Sequence, residues 1–108
     1  FARDLLHKVC GSKAIIGIDG ISISYGLTTP VHEEAEVTHL MIERTQGPVI
    51  VVADHGKMGV VSNFVTCPIN KVHMLITDRG IKQNFREELE HLNIRVIIAE
   101  DFLEHYGA

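Results

Sequence analysis

The chain has few cysteines and no long hydrophobic run, and each absence argues against a class of protein. Its two cysteines, Cys10 and Cys67, lie far apart and form no CxxC motif, which disfavours a disulfide framework or a zinc ribbon. Two reduced, buried thiols are expected instead. Apolar runs such as residues 49–53 fall far short of the roughly 18 residues that cross a bilayer, and they follow no signal-peptide pattern. We therefore expect a cytoplasmic protein with no membrane partner.

Basic residues are too few and too scattered to form a DNA-binding surface. The ten Lys and Arg residues are spread from Arg3 to Arg95, and the formal net charge is -4. Affinity for DNA depends on clustered cations that neutralise phosphates, so these residues alone are not expected to bind it. With 45% hydrophobic and 22% charged residues, the 108-residue chain has the composition of one ordinary globular domain. Because it begins at Phe1, we expect it to be part of a longer protein.

Short apolar segments alternate with helical patterns, which is typical of an α/β protein. Four buried strands are predicted, each stopping at an acidic residue: 14–18 before Asp19, 49–53 before Asp54, 74–77 before Asp78 and 96–99 before Glu100. Such alternation predicts a mostly parallel sheet with helices on both faces. Ligands bind at the carboxyl ends of such strands, so these four side chains are candidates for a site. Each one alone is explained as readily by capping of the turn that follows.

Helical spacing and turn residues predict the remaining elements. The first helix covers residues 1–9. A second begins with Thr29 as its cap and Pro30 in its first position, and runs to about Gln46. A third, amphipathic helix covers residues 85–92. Two more segments are expected to be non-helical: a short extended piece at 21–25, and a loop at 58–70 with an edge strand near 64–67 that Pro68 ends.

The segment ADHGKMG at residues 53–59 places one lysine, Lys57, between Gly56 and Gly59, directly after the clearest strand. Glycine lets a backbone approach a ligand closely, and a lysine there offers a point charge to a phosphate or carboxylate. The segment is not a P-loop, because no Ser or Thr follows Lys57. An exposed loop lysine without a ligand fits the local sequence equally well.

The start of the second predicted helix is acidic. Helix N-termini bind anions, but Glu33, Glu34 and Glu36 occupy this one and would repel a phosphate. We therefore expect sugar hydroxyls on this side and the phosphate elsewhere. The HEEAE segment at 32–36 begins like a metalloprotease helix, yet Glu36 stands where zinc needs a second histidine. No metal, cofactor or nucleophilic residue is expected, because no other histidine spacing and no G-x-S-x-G motif indicates one.

Three segments, in this order, resemble the C-terminal sensor domain of DeoR-type transcription regulators. They are IGIDGI at 16–21, YGLTTP at 25–30 with Glu34 after it, and VADHGKMG at 52–59, and LITD at 75–78 also fits. The resemblance extends from about residue 12 to residue 99. It implies a fold shared with ribose-5-phosphate isomerase and the CoA transferases, used here to sense a phosphorylated sugar.

The resemblance also implies that two parts of the regulator lie outside these 108 residues. One is an N-terminal helix-turn-helix that binds DNA. The other is the first part of the sensor, whose Gly and Thr residues would hold the phosphate. Residues 1–108 are thus expected to form a partial effector-sensing domain. Two positions depart from the family pattern: Met58 replaces an aromatic residue, and Gly56 replaces a Ser or Thr.

Three hypotheses remain open. The first, preferred because the resemblance is to regulators, is a homo-oligomeric repressor of carbohydrate metabolism that reaches DNA only through the N-terminal domain. Its phosphorylated-sugar effector would be held by six residues: Asp19, Gly20, Thr28, Glu34, Asp54 and Lys57. The second is a sugar-phosphate isomerase on the same fold, with Asp19 or Glu34 as general base and Lys57 stabilising an enediolate. The third is an oligomerisation domain with a degenerate site.

Overall fold

The computed structural model describes the backbone of residues 9–10 and all of residues 13–101. The helix predicted at residues 1–9 lies outside this part of the chain, except for Val9, which is in a strand instead. The described elements are β1 (Val9–Cys10), β2 (Lys13–Gly17), β3 (Gly20–Ser22), β4 (Gly26–Thr29), α1 (His32–Arg44), β5 (Val49–Val52), a 3-10 turn (His55–Lys57), β6 (Phe64–Cys67), a second 3-10 turn (Ile69–Lys71), β7 (Met74–Thr77), α2 (Gln83–His91) and β8 (Arg95–Ile98).

The larger sheet has the strand order β1-β2-β5-β7-β8. Strands β2, β5, β7 and β8 are mutually parallel, and only the short β1 runs antiparallel, at one edge. The four strands predicted from apolar, β-branched runs are therefore confirmed, each within one residue of its predicted bounds. The mostly parallel α/β class is confirmed with them. Parallel strands are typically buried on both faces, which is why they form nearly continuous apolar runs.

The parallel strands end at one common edge of the sheet. Gly17 lies opposite Val52, which in turn lies opposite Ile76, and the next residue, Thr77, lies opposite Ile98. Because this register is nearly level, the residues that follow each strand emerge side by side. The acidic residues after the strands are brought to the same rim by this arrangement.

A second, antiparallel sheet of the order β3-β4-β6 lies beside the first. The edge strand predicted at 64–67 is confirmed as β6. The extended piece predicted at 21–25 is shorter than expected, because β3 ends at Ser22 and its hydroxyl accepts a hydrogen bond from the Tyr25 amide at 3.0 Å, which closes a turn. Gly26 follows with φ of +76°, and a Cβ there would lie 2.2 Å from the Cys67 carbonyl oxygen. Only glycine fits this junction.

The prediction that Thr29 caps the second helix is wrong. Thr29 is the last residue of β4, and the residue before α1 is Val31, which offers no capping side chain. The Thr29 hydroxyl donates instead to carboxylates, and the helix starts two residues after Pro30. Helix α1 packs against β2, β4 and β6 with a face of buried residues spaced for a helix: Ala35, Thr38 and Ile42.

Helix α2 packs beside β8 and connects it to β7. It starts two residues earlier and ends one residue earlier than the predicted 85–92, and Leu89 is its fully buried residue. Asn93 then adopts φ of 64°, a left-handed conformation that commonly follows a helix. One continuous cluster of buried side chains joins both sheets and this helix. Within the described residues, no helix is long and apolar enough to span a membrane.

Cys67 is a buried, free thiol. Burial raises its pKa to about 12, so the thiolate that reactive cysteines require is suppressed. The predicted buried thiol is confirmed at this position. The side chain of Cys10 lies outside the described residues.

Candidate functional site

Two cavities open at the rim where the parallel strands end, and Asp19 lies in the wall of both. The larger, of about 290 Å³, we call the Lys57 crevice, and it is lined by Gly17, Ile18, Asp19, Val52, Ala53, Asp54 and Lys57. The structure thus brings three of the six predicted site residues into one wall. Two of these residues are acidic and one is basic, so the wall includes side chains with hydrogen-bond acceptors and one with a positive charge.

The smaller cavity holds Glu34, a fourth predicted residue. The Thr29 hydroxyl lies 3.0 Å from Asp19 Oδ2 and 3.2 Å from Glu34 Oε2, so its single proton is shared between the two carboxylates. This space measures only about 10 Å³, the volume that one water molecule needs. Glu34 is thus connected to the Lys57 crevice through Asp19, and it does not line that crevice itself.

The structure places the remaining two predicted residues, Gly20 and Thr28, in the packing between strands and loop. Thr28 is fully buried, and its hydroxyl accepts a hydrogen bond from the Ser62 amide at 2.9 Å. A Cβ on Gly20 would lie 2.4 Å from the Val60 carbonyl oxygen. Neither residue lines the Lys57 crevice. Their contacts hold the loop that follows Lys57 against the second sheet.

The 3-10 turn His55–Lys57, which we call the Lys57 turn, is fixed by local hydrogen bonds. Asp54 Oδ1 accepts from the Gly56 amide at 2.8 Å, and the Asp54 carbonyl accepts from the Lys57 amide at 3.1 Å. The Gly59 amide donates to the Ile21 carbonyl at 2.7 Å, which ties the end of this segment to β3. Asp54 therefore serves as a turn cap and as a wall of the crevice at once.

A histidine-aspartate pair on the same rim was not predicted from the sequence. Asp78 Oδ1 and Oδ2 each lie 3.0 Å from His55 Nδ1, and Oδ1 also accepts from the His55 backbone amide at 3.0 Å. The hydrogen bond to Asp78 raises the pKa of His55, and the same bond lowers the pKa of Asp78. The strand-tip pattern singled out Asp78, but its partner follows only from the adjacency of β5 and β7.

Glu100, the last strand-tip residue, has a structural role. Its carboxylate accepts from the Arg79 backbone amide at 3.2 and 3.3 Å, while the Arg79 guanidinium donates to Asp101 Oδ1 at 2.8 Å. These contacts join the loop after β7 to the end of β8. In the described residues no three His, Cys, Asp or Glu side chains are grouped as metal ligands would be.

The family is decided by the comparison of this sequence with known proteins. Residues 1–79 match the family model described as the DeoR C terminal sensor domain. The chain belongs to this family. The sensor domain is 35% identical over 88 residues to the HTH-type transcriptional repressor GlcR of Bacillus subtilis, covering 82% of this chain and 33% of that protein. It is 32% identical over 96 residues to the HTH-type transcriptional regulator GlpR of Haloferax volcanii, covering 89% and 37%.

A third relative of the sensor domain is a putative aga operon transcriptional repressor of Escherichia coli, 27% identical over 97 residues, with 90% of this chain and 36% of that protein covered. The chain therefore spans about a third of the length of these relatives. The segments that suggested the family in the sequence contribute Asp19, Asp54 and Lys57 to one crevice.

Proposed function

We propose that this chain is the effector-binding part of a transcription regulator and that a phosphorylated sugar binds in the Lys57 crevice. The observation that carries this proposal is the convergence of Asp19, Asp54 and Lys57 on one wall, in a chain of the DeoR sensor family. Carboxylates at hydrogen-bond distance accept from sugar hydroxyls, and an ammonium adds a contact to an anionic or carbonyl oxygen.

The charges of the crevice favour the polyol part of the ligand. Two carboxylates face one ammonium, so the wall carries more negative than positive charge and would repel a phosphate placed deep inside it. The volume of about 290 Å³ lies at the small end of the range of ligand sites, which suits a short sugar chain. We propose that the phosphate is bound by another part of the sensor, outside the Lys57 crevice.

Effector binding would change DNA binding by shifting the populations of two conformations of the regulator. A ligand shifts an equilibrium between two conformations only by the difference of its affinities for them. We propose that the regulator is a cytoplasmic homo-oligomer, that a separate helix-turn-helix domain reaches DNA, and that the effector weakens repression of genes for carbohydrate metabolism. Two relatives are transcriptional repressors by name, one of them of the HTH type, which supports the DNA-binding and repression parts of this proposal.

Calorimetry on the full-length regulator with a panel of sugar phosphates tests the proposal. Lys57→Ala is expected to weaken binding of the effector by roughly tenfold or more, since a charge-assisted hydrogen bond is lost. Lys13→Ala, an exposed lysine at the start of β2, is the matched control and should leave affinity unchanged. If no sugar phosphate binds, or if Lys57→Ala binds like the control, the proposed site is wrong.

The alternative is a sugar-phosphate isomerase, and the geometry that favours it is the pairing of two carboxylates through Thr29 beside Lys57. Glu34 faces a space no larger than a water molecule, so only Asp19 is placed to act as a general base on a bound sugar. Exchange of the proton next to the substrate carbonyl, followed by NMR, separates the two functions. Exchange at a catalytic rate would support the enzyme, whereas binding without exchange supports the sensor.

A further inference from the structure

The Lys57 turn contributes to a third cavity whose wall differs from the others in charge. We call it the His55 cavity, and it encloses about 240 Å³ and is lined by His55, Met58, Gly80, Lys82, Asn84 and Phe85. Its wall contains no carboxylate, whereas Asp19 and Asp54 line the Lys57 crevice and Asp19 and Glu34 line the smallest cavity. Of these three, the His55 cavity is the one suited to an anion.

His55 lines this cavity, and its Nδ1 atom is already engaged by Asp78. Nδ1 lies 3.0 Å from both Asp78 oxygens, and no other described residue bonds to the Nε2 atom. Asp78 raises the pKa of the ring, with smaller contributions from Asp54 and Glu100 in the same direction. The protonated ring carries an N–H on both nitrogens, so Nε2 then donates outward.

The other donors come from the segment that leads into α2. Lys82 is the residue before the helix and Asn84 is in its first turn, and both are exposed. Gly80 allows the ring to sit here, since a Cβ on it would lie 2.3 Å from His55 Nδ1. Met58 and Phe85 pack against the core and supply an apolar part of the wall.

We propose that the His55 cavity is a second site, separate from the Lys57 crevice, which binds a small anion bearing a phosphate or carboxylate group. His55 Nε2, the Lys82 ammonium and the Asn84 side-chain amide are its donors. One ammonium, one imidazolium and one amide provide the number and type of donors with which proteins commonly hold a phosphate oxygen cluster. The anion is either the phosphate end of the effector or a separate metabolite or inorganic ion.

Titration of the full-length regulator with inorganic phosphate at constant ionic strength, followed by phosphorus NMR, tests the proposal. Lys82→Ala and His55→Gln are each expected to weaken phosphate binding by roughly fivefold to tenfold, because each removes a charge-assisted donor. Lys13→Ala controls for the change of net charge. Circular dichroism checks that the variants are folded. If His55→Gln proves to be unfolded, Lys82→Ala still tests the proposal, since Lys82 is exposed.

Sulfate allows the pH dependence of anion binding to be measured, because its charge does not change in the pH range in which His55 titrates. Wild type should lose sulfate affinity as pH rises through the folded pKa of His55, which lies above 6.5. The groups that act on this ring are Asp78, Asp54 and Glu100. His55→Gln should remove the pH dependence, and Lys82→Ala should retain it. A dependence that survives in His55→Gln would contradict the role given to this ring.

The same variants identify the source of the anion and separate this proposal from the previous one. If Lys82→Ala also weakens sugar-phosphate binding, and phosphate competes with the sugar phosphate, the cavity holds the effector's own phosphate. If sugar-phosphate affinity is unchanged, the anion is a separate ligand. Phosphate binding that is lost in Lys57→Ala but equal in Lys82→Ala, His55→Gln and the control would overturn the second site while leaving the Lys57 crevice intact.

Discussion

The Lys57 turn separates two surfaces of opposite character. On one side, Lys57 joins Asp19 and Asp54 in a crevice that is mainly acidic. On the other, His55 joins Lys82 in a cavity whose wall has no carboxylate. Two residues of one turn, His55 and Lys57, thus line two different cavities, and the surrounding strand ends determine what each of them can bind. The acidic side suits hydroxyl groups, whereas the basic side suits an anion.

The difference arises from how the neighbouring aspartates are used. Within the described hydrogen bonds, the Asp54 side chain accepts only from the Gly56 backbone amide, and Asp54 also lines the crevice. Asp78 is engaged by both the backbone amide and the ring of His55. A carboxylate that is held by a histidine orients that ring, while a carboxylate that lines a crevice can accept hydrogen bonds from a ligand, the role that we propose for Asp54. Similar residues after similar strands therefore take different roles.

Gly20→Ala is the change expected to disturb both the Lys57 crevice and the His55 cavity. Its Cβ would come within 2.4 Å of the Val60 carbonyl and 2.7 Å of Thr28 Oγ1, so the loop after Lys57 must move away from β3. We expect the free energy of unfolding to fall by about 2 to 3 kcal/mol, as overpacking against a backbone atom commonly costs. Denaturant unfolding monitored by circular dichroism measures this.

Gly59→Ala is the matched control for Gly20→Ala. Gly59 has φ of +79°, but a Cβ there would meet no atom within 4 Å, so only conformational strain is introduced. A smaller loss of about 1 kcal/mol is expected from the left-handed conformation alone. If Gly59→Ala proved as destabilising as Gly20→Ala, steric contact with Val60 would not be the reason that position 20 requires glycine.

Two substitutions at Asp54 separate its role as a cap of the Lys57 turn from its role in the wall of the Lys57 crevice. Asp54→Asn keeps an oxygen for the Gly56 amide and removes the negative charge, so we expect unchanged stability and sugar-phosphate affinity reduced by about threefold. Asp54→Ala also removes the cap and should lower the free energy of unfolding by about 1 kcal/mol. Equal stability of the two variants in a thermal melt would show that the hydrogen bond to Gly56 contributes nothing.

The parallel sheet was predictable from the sequence, whereas in the antiparallel sheet β6 and part of β3 were predicted and β4 was not. Strands such as Val49–Val52 are continuous apolar runs, a pattern that local sequence carries by itself. Strand β4 has Leu27 as its one large apolar residue, and it pairs with β6 across a long separation. Its Thr-Thr-Pro end also fits the start of a helix, which is why the cap was assigned to Thr29. Contacts with distant carboxylates decided the outcome there.

The convergence of residues in the candidate site was predictable to the same extent as the sheet that supports it. Asp19, Asp54 and Lys57 could be assigned because each follows a recognisable strand, and parallel strands end together. Thr28 belongs to β4, the strand that was not predicted, so its burial and its hydrogen bond with the Ser62 amide were not foreseen. The pairing of His55 with Asp78 spans 23 residues and depends on which strand lies beside which. A single sequence contains no local signal for that order.

The smallest expected effect concerns the His55–Asp78 pair, which keeps the basic side of the turn in place. The pKa of His55 is raised from 6.5 and that of Asp78 is lowered from 3.8, so the pair contributes fully to stability only between these two values. This contribution falls as pH rises through the folded pKa of His55, and also as pH falls through the folded pKa of Asp78.

Asp78→Asn keeps an acceptor for the His55 amide. It should therefore lower the melting temperature most near pH 5 to 6, and the difference from wild type should shrink toward alkaline pH. In a His55→Gln background the alkaline decline should vanish, and if it persists there, another group carries the dependence.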